Sequence, residues 1–140
     1  MSSDAAVGVS GVSFADVAAG VRSTIAAHAQ AQDDGRTGEL VELYCADGAV
    51  DVPQLGVIEG HGALREAFAG WGPTVPQRHL VSNTLITAWD EHEASSISDV
   101  VFSQKGAAGW GVPMAARYHD RFRNEAGTWR LVRRTMEFFP

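Results

Sequence analysis

The period of the apolar residues changes near residue 76, and this change limits the folds that the chain can adopt. Before it, Phe14, Val17, Val21 and Ile25 recur at the spacing of one helix face. After it, in residues 114–122, apolar and polar side chains alternate as they do along a half-buried strand. Helices followed by alternating strands predict an α+β fold, in which N-terminal helices pack on one face of an antiparallel sheet.

The boundaries of these elements follow from capping and turn residues. The first helix is predicted to begin after Ser13, because Asp16 completes a capping box, and to end at Asp33-Asp34-Gly35. A short second helix is expected over residues 37–45, and a third after Gly60. The predicted strands cover residues 49–52, 57–59, 79–89, 94–102, 114–123 and 128–139.

Size and charge restrict the class of protein. The 140 residues fit one domain, residues 14–140, after a tail over residues 1–13 that we expect to fray. The net charge of −6 argues against a nucleic-acid partner. We expect no membrane span and no signal peptide, since no apolar run is long enough and the tail lacks Lys and Arg. The single Cys45 favours a reducing, cytoplasmic location.

Asp33 and His79 are the first candidates for acid–base chemistry. At the C-terminal end of the first helix, the helix dipole and a pocket wall would disfavour the ionised form of Asp33, as suits a general base. The alternatives are a solvated loop acid, or Asp34 as the residue that faces the pocket. His79 lies on the same strand face as Val81, and histidine exchanges protons near neutral pH. Its alternative role is that of a core histidine.

Four other polar residues are candidates for substrate binding. His28 falls on the buried stripe of the first helix, and Asn83 is expected to face the same way as His79. Tyr118 and Asp120 alternate with outward arginines, so both should point inward, where a phenol can polarise a carbonyl. Asp120 is either catalytic or paired with a structural arginine such as Arg134.

Several motifs are missing from the sequence. No two histidines lie at metal-ligand spacing, no cysteine pair is present, and no glycine-rich phosphate loop follows a strand. No G-x-S-x-G motif provides a serine nucleophile. We therefore expect neither a metal nor a cofactor.

The order of short motifs along the chain resembles the SnoaL-like branch of the nuclear transport factor 2-like superfamily. The resemblance covers about residues 14–138 and rests on residues 47–50 (Asp-Gly-Ala-Val), 59–61 (Glu-Gly-His), 78–83, 118–122 and 127–131. It implies a cone-shaped α+β barrel, with a strongly curved sheet wrapped around three helices and a deep apolar pocket for a small hydrophobic ligand. It also implies a homodimer formed through the outer face of the sheet.

The same resemblance suggests three functions. In the dehydratases of the family, residues matching Asp33 and His79 form an acid–base pair, which implies a cofactor-independent lyase or isomerase for a cyclic, oxygenated molecule. In the polyketide cyclases, the acid–base aspartate matches Asp120, which implies aldol-type ring closure. The small subunits of ring-hydroxylating dioxygenases imply a non-catalytic binding or assembly module. Family members often have Tyr where this chain has His28.

Overall fold

The helices of the computed structural model, which describes residues 11–140, lie mostly ahead of the sheet, as the sequence predicts. They are α1 (Phe14–Asp33), α2 (Thr37–Glu42) and α3 (His61–Gly70). Ser13 and Asp16 cap α1 with reciprocal hydrogen bonds, and Gly35 ends it with a φ of 70°. The frayed tail expected over residues 1–13 lies, for residues 1–10, outside the described residues.

Six strands form one sheet. They are β1 (Tyr44–Val52), β2 (Gly56–Glu59), β3 (Gln77–Trp89), β4 (Glu93–Gly106), β5 (Gly109–Glu125) and β6 (Thr128–Phe138). Their spatial order is β2-β1-β6-β5-β4-β3. Helix α1 packs against both β6 and the edge strand β3, so the sheet curves around this helix. The α+β prediction is therefore confirmed, with a sheet that is curved but not closed.

One strand pair departs from the predicted antiparallel sheet. β1 runs parallel to β6, whereas the other neighbouring strands are antiparallel. The chain must cross from the β2 edge of the sheet to the β3 edge, and α3 makes this crossing. Because the two strands are far apart in sequence, no local pattern specifies their relative direction.

The second helix is shorter than expected. It ends at Glu42, and Tyr44 and Cys45 already belong to β1, where both are fully buried. The pairing of β1 with β6 shifts between Tyr44 and Ala49. At this shift a Cβ on Gly48 would approach the carbonyl oxygen of Leu131 to 2.8 Å, so the backbone there has room only for glycine. Tertiary pairing with β6 thus overrides the helical pattern.

A bulge in β3 corrects the predicted face of Asn83. The pairing with β4 shifts between Ser82 and Leu85, and Asn83 has a φ of 56°. Its side chain is exposed and donates to Asp99 Oδ2 at 3.1 Å, whereas Thr84 faces inward and bonds Ser98. An inserted residue reverses the alternation of a strand, so Asn83 does not share the face of His79.

The alternation predicted for β5 is confirmed. Ala116, Tyr118, Asp120 and Phe122 are buried on the inner face. On β6, Arg134 is also buried on this face, whereas Arg133 lies outside and pairs with Asp51 at 2.7 Å. The pairing of β5 with β6 shifts between Arg121 and Phe122, which sets this register.

Among the described residues, no helix is long and apolar enough to cross a membrane.

Candidate active site

A cavity of about 280 Å³ lies between α1, α3 and the inner face of the sheet. Most of its wall is apolar, with contributions from Val50, Phe68 and Phe102. The polar residues in the wall are His28, Gln32, Gln77, His79, Tyr118 and Arg134. A concave apolar space with a few polar groups is typical of a small-molecule site.

His79 lines this cavity, and Asp33 contacts His79 from behind the cavity wall. Asp33 is the last residue of α1 and His79 the third residue of β3, 46 positions later. His79 Nδ1 lies 2.6 Å from Asp33 Oδ1, and the backbone N–H of His79 donates to Asp33 Oδ2 at 2.7 Å. The Asp33 and His79 side chains are only 5% and 8% exposed. The pair is therefore held at two points and shielded from bulk water.

Gln77 is a third member of this group, which the sequence analysis missed. It is buried at the start of β3, and its Nε2 donates to Asp33 Oδ1 at 3.2 Å. Asp33 thus faces three N–H groups: the Gln77 amide, the His79 backbone and the His79 ring. A signal was present, because Gln77 precedes His79 by two residues and so shares its strand face.

The other ring nitrogen of His79, Nε2, makes no hydrogen bond to any described residue. Because Nδ1 bonds Asp33, Nε2 is the ring nitrogen that can accept a proton from a bound molecule and return it. The ring packs against Phe102 with 4.7 Å between centroids, and the residue lines the cavity. A carboxylate that fixes the tautomer and a free Nε2 are the parts of a general base.

His28 lies deeper in the cavity wall and is neutral. Its Nε2 lies 2.9 Å from the hydroxyl of Tyr44, which the sequence analysis did not single out. Burial lowers the pKa of His28 well below 6.5, and the charges of Arg134 and His79 lower it further. No described residue hydrogen-bonds His28 Nδ1. Burial also raises the pKa of Tyr44, so this phenol stays protonated.

Asp120 does not line the cavity, although it points inward as predicted. Arg134 Nε and Nη2 donate to its two carboxylate oxygens at 2.8 and 2.9 Å, and the Asp120 side chain is fully buried. Burial alone would lower the pKa of Arg134, but the charge and hydrogen bonds of Asp120 raise it. The structure therefore favours the paired alternative for Asp120 over contact with a substrate.

Tyr118 lies next to the Asp120–Arg134 ion pair. Its ring stacks under the guanidinium of Arg134 at 3.7 Å, and the residue lines the cavity. Burial raises the pKa of Tyr118, with the carboxylates of Asp120 and Asp33 acting in the same direction and Arg134 against them. The phenol is therefore a protonated hydrogen-bond donor beside the cavity.

Three of the six predicted site residues thus line one cavity: His79, His28 and Tyr118. Asp33 contacts His79 and borders the outer groove between α1 and β3 rather than the cavity itself. Asn83 lies on the outer face, and Asp120 lies beneath Arg134. Asp34, the alternative to Asp33, is exposed and pairs with Arg36 at 3.2 Å. Within residues 11–140, no three His, Cys, Asp or Glu side chains are close enough together to hold a metal ion.

The fold and the cavity define a class of protein, the α+β domain of the nuclear transport factor 2-like superfamily, in which a curved sheet and its helices enclose a pocket. Within this class, residues 15–135 match the family model of the SnoaL-like domain. The chain therefore belongs to the SnoaL-like family. No curated protein matches the sequence significantly.

Solved structures share this fold. A Mycobacterium tuberculosis protein of unknown function is similar at 25% identity, with a TM-score of 0.80 over 85% of this chain and 69% of that one. The β subunit of a proposed aromatic-ring-hydroxylating dioxygenase from Novosphingobium aromaticivorans has 23% identity and a TM-score of 0.79, covering 91% and 93%. A proposed scytalone dehydratase from the same organism has 21% identity and a TM-score of 0.76, covering 86% and 83%.

Proposed function

We propose that the protein is a cofactor-independent lyase or isomerase that acts by acid–base chemistry on a hydrophobic, cyclic, oxygenated molecule. The observation that carries this proposal is the Asp33–His79 pair, with a 2.6 Å contact at the wall of an apolar cavity. The apolar wall would bind the body of the substrate, and the pair would move its protons.

In the proposed reaction, His79 Nε2 removes a proton from a carbon next to a carbonyl, and the electron pair of the C–H bond forms an enolate. Asp33 keeps its hydrogen bond to Nδ1–H and stabilises the imidazolium that results. In an elimination, His79 returns this proton to a hydroxyl on the adjacent carbon, which leaves as water while the C=C bond forms. In an isomerisation, the proton returns to a different carbon.

Tyr118 and Arg134 are suited to the carbonyl end of such a substrate. Both line the cavity, and both are hydrogen-bond donors in their stable protonation states. A protonated phenol or a guanidinium aimed at the carbonyl oxygen would stabilise the negative charge that develops there in the enolate. The donors and the base would then act on opposite ends of one molecule.

The first step can be tested without the natural substrate, since elimination and isomerisation both begin with proton removal. The probe is 1-tetralone in D₂O, and the measurement is deuterium incorporation at C2 followed by proton NMR. We expect exchange above the buffer rate, lowered about 10²- to 10⁴-fold in His79→Ala. Asn83→Gly, on the outer face, is the control and should leave the exchange rate unchanged.

If His79→Ala is folded and exchanges deuterium at the wild-type rate, His79 is not the base. Exchange at the buffer rate in the wild-type protein would remove the enolisation step from the proposal. The cyclase alternative, in which Asp120 is the base, is less well supported because Arg134 occupies both Asp120 oxygens. Full exchange in Asp33→Asn with loss in a folded Asp120→Asn would reverse this choice.

A non-catalytic binding or assembly module is the second candidate function. The observation in its favour is the fold likeness to a dioxygenase β subunit, which extends over 91% of this chain. A stable complex with a larger chain on purification from the source cells, together with no deuterium exchange in 1-tetralone, would favour this function over the lyase.

We also propose that the outer face of the sheet forms a homodimer. Leu80 and Val101 are opposite each other on β3 and β4, and both are exposed, as is Phe139 beside β5. A row of exposed apolar side chains on a sheet face is typical of an interface. Light scattering should give twice the chain mass, and the mass of a single chain would contradict the dimer.

A further inference from the structure

The hydrogen bond between Gln77 and Asp33 fixes which way the Gln77 amide points. An ionised carboxylate can only accept hydrogen bonds, and Asp33 Oδ1 already accepts one from His79 Nδ1. The Gln77 group that contacts Asp33 must therefore be the amide nitrogen, as the 3.2 Å contact of Nε2 has it. A flipped amide would place its oxygen against the carboxylate, where the two acceptors would repel each other.

With Nε2 held by Asp33, the carbonyl oxygen Oε1 points away from the carboxylate. Gln77 is 4% exposed, and it borders the cavity but not the outer groove between α1 and β3, which Asp33 and His79 border. Oε1 is not among the fully buried polar atoms that lack a partner, and no described residue donates a hydrogen bond to it. Gln77 therefore presents a free acceptor to the cavity.

The other polar wall of the cavity has the opposite character. Arg134 uses Nε and Nη2 on Asp120, and its Nη1 has no acceptor among the described residues. The Tyr118 phenol is protonated. One side of the cavity thus offers donors, and the side next to His79 offers an acceptor.

We propose that Gln77 Oε1 recognises a hydroxyl group of the ligand, next to His79, while a carbonyl oxygen faces Tyr118 and Arg134. The substrate class is then a hydroxyketone, whose hydroxyl donates to Gln77 and lies within reach of the proton on His79. This assignment rests on the proposed function for the carbonyl chemistry, but the preference for a hydroxyl follows from the orientation of Gln77 and is a property of binding alone.

The test compares two probes of nearly equal shape, 2-naphthol and 2-methoxynaphthalene, which differ in having a hydrogen-bond donor. Dissociation constants are measured by tryptophan fluorescence or calorimetry, without turnover. One net hydrogen bond predicts that wild-type protein binds 2-naphthol about three- to tenfold more tightly. Gln77→Met, which keeps the length of the side chain but lacks the amide, should bring the ratio close to one.

Gln32→Met is the matched control, because Gln32 also lines the cavity but makes no side-chain hydrogen bond to Asp33 or His79. It should keep the wild-type ratio. A direct readout is the ¹³C resonance of the Gln77 side-chain carbonyl, which should move downfield with 2-naphthol and stay in place with 2-methoxynaphthalene.

Three results would overturn the assignment: equal affinities or no binding in the wild type, an equal loss of preference in Gln32→Met, or an unmoved Gln77 carbonyl resonance. These results are distinguishable from failure of the proposed function. A protein that prefers 2-naphthol through Gln77 but exchanges no deuterium into 1-tetralone would have the binding site without the enzyme chemistry.

Discussion

Two buried pairs, each of a carboxylate and a basic side chain, lie at the inner face of this sheet. They differ in whether the basic side chain can change its protonation state. In the Asp120–Arg134 pair, a guanidinium fills both carboxylate oxygens at 2.8 and 2.9 Å. In the Asp33–His79 pair, the imidazole Nδ1 of His79 bonds one carboxylate oxygen, and the backbone N–H of His79 donates to the other. Arginine keeps its proton throughout the physiological range, whereas histidine gains and loses one.

This difference assigns a structural role to one pair and makes the other pair the candidate for proton transfer. In the Asp120–Arg134 pair, the carboxylate compensates the buried positive charge of the guanidinium, and the guanidinium does not release its proton. The Asp33–His79 pair can be neutral or charged at the imidazole, and its carboxylate keeps hydrogen-bond donors in either state. Of the two buried acids, Asp33 is therefore the better candidate for catalysis, because its partner can change protonation.

The same substitution at the two acids tests this comparison and has the largest expected effect. Asp120→Asn leaves the buried Arg134 charge without a counterion and should lower the free energy of unfolding by about 3–5 kcal/mol. Asp33→Asn should cost less, about 1–3 kcal/mol, because His79 can still donate Nδ1–H to the new amide oxygen and only the His79 backbone N–H loses its acceptor. Urea denaturation followed by circular dichroism measures both values.

Equal losses of stability in the two variants would mean that the Asp33–His79 pair carries as much fixed charge as the Asp120–Arg134 pair, and the comparison would fail. The double variant Asp120→Leu with Arg134→Met provides the control. Replacing both charges together should recover most of the stability lost in Asp120→Asn, since no unpaired charge stays buried.

His28 adds a pH dependence of intermediate size. Its pKa in the folded protein lies well below the ordinary 6.5, so below that pH the unfolded chain binds the proton that the folded protein refuses. The free energy of unfolding should therefore fall as the pH drops below about 6.5, by up to about 1.4 kcal/mol per pH unit from this group. Above this range His28 contributes no slope.

The contribution of His28 is isolated by comparing the wild-type protein with His28→Gln, which does not titrate and whose amide can still bond the Tyr44 hydroxyl. Denaturant midpoints are measured at several pH values between 4.5 and 7.5. The variant should have the shallower acid slope. Identical slopes in the two proteins would show that His28 takes up a proton in the folded state.

The smallest expected effect is that of Asn83→Gly. Glycine accepts the φ of 56° without strain, and the lost bond to Asp99 is exposed, so the stability should change by less than about 0.5 kcal/mol. Asn83→Val should cost about 1 kcal/mol or more, because a β-branched residue resists this conformation. If glycine is instead the more damaging of the two, the left-handed bulge is wrong.

The sequence predicts the parts of this fold that depend on local period. The helix stripe from Val17 to Ile25 is buried as expected, and the alternation along β5 places Tyr118 and Asp120 inside. The meeting of Asp33 with His79 was an implication of the family resemblance rather than of any spacing. Their catalytic roles stay predictions until exchange is measured.

Other features depend on non-local pairing and could not be predicted from the sequence. The parallel alignment of β1 with β6 joins residues more than eighty positions apart. Because Tyr44 takes part in this pairing, it belongs to β1 and not to the second helix. The bulge at Asn83 has no glycine or proline to mark it, so a strict alternation assigned the wrong face. Gln77 was detectable by its spacing from His79, but a glutamine alone does not suggest chemistry.

The bond from the His79 backbone N–H to Asp33 has a consequence for the behaviour of the protein in solution. β3 is the last strand on its side of the sheet, so this N–H would otherwise be open to a strand from another molecule. The carboxylate of Asp33 covers it from the end of α1. The residue that we propose as the partner of the base thereby also shields this N–H of the edge strand, and loss of its side chain would weaken both properties together.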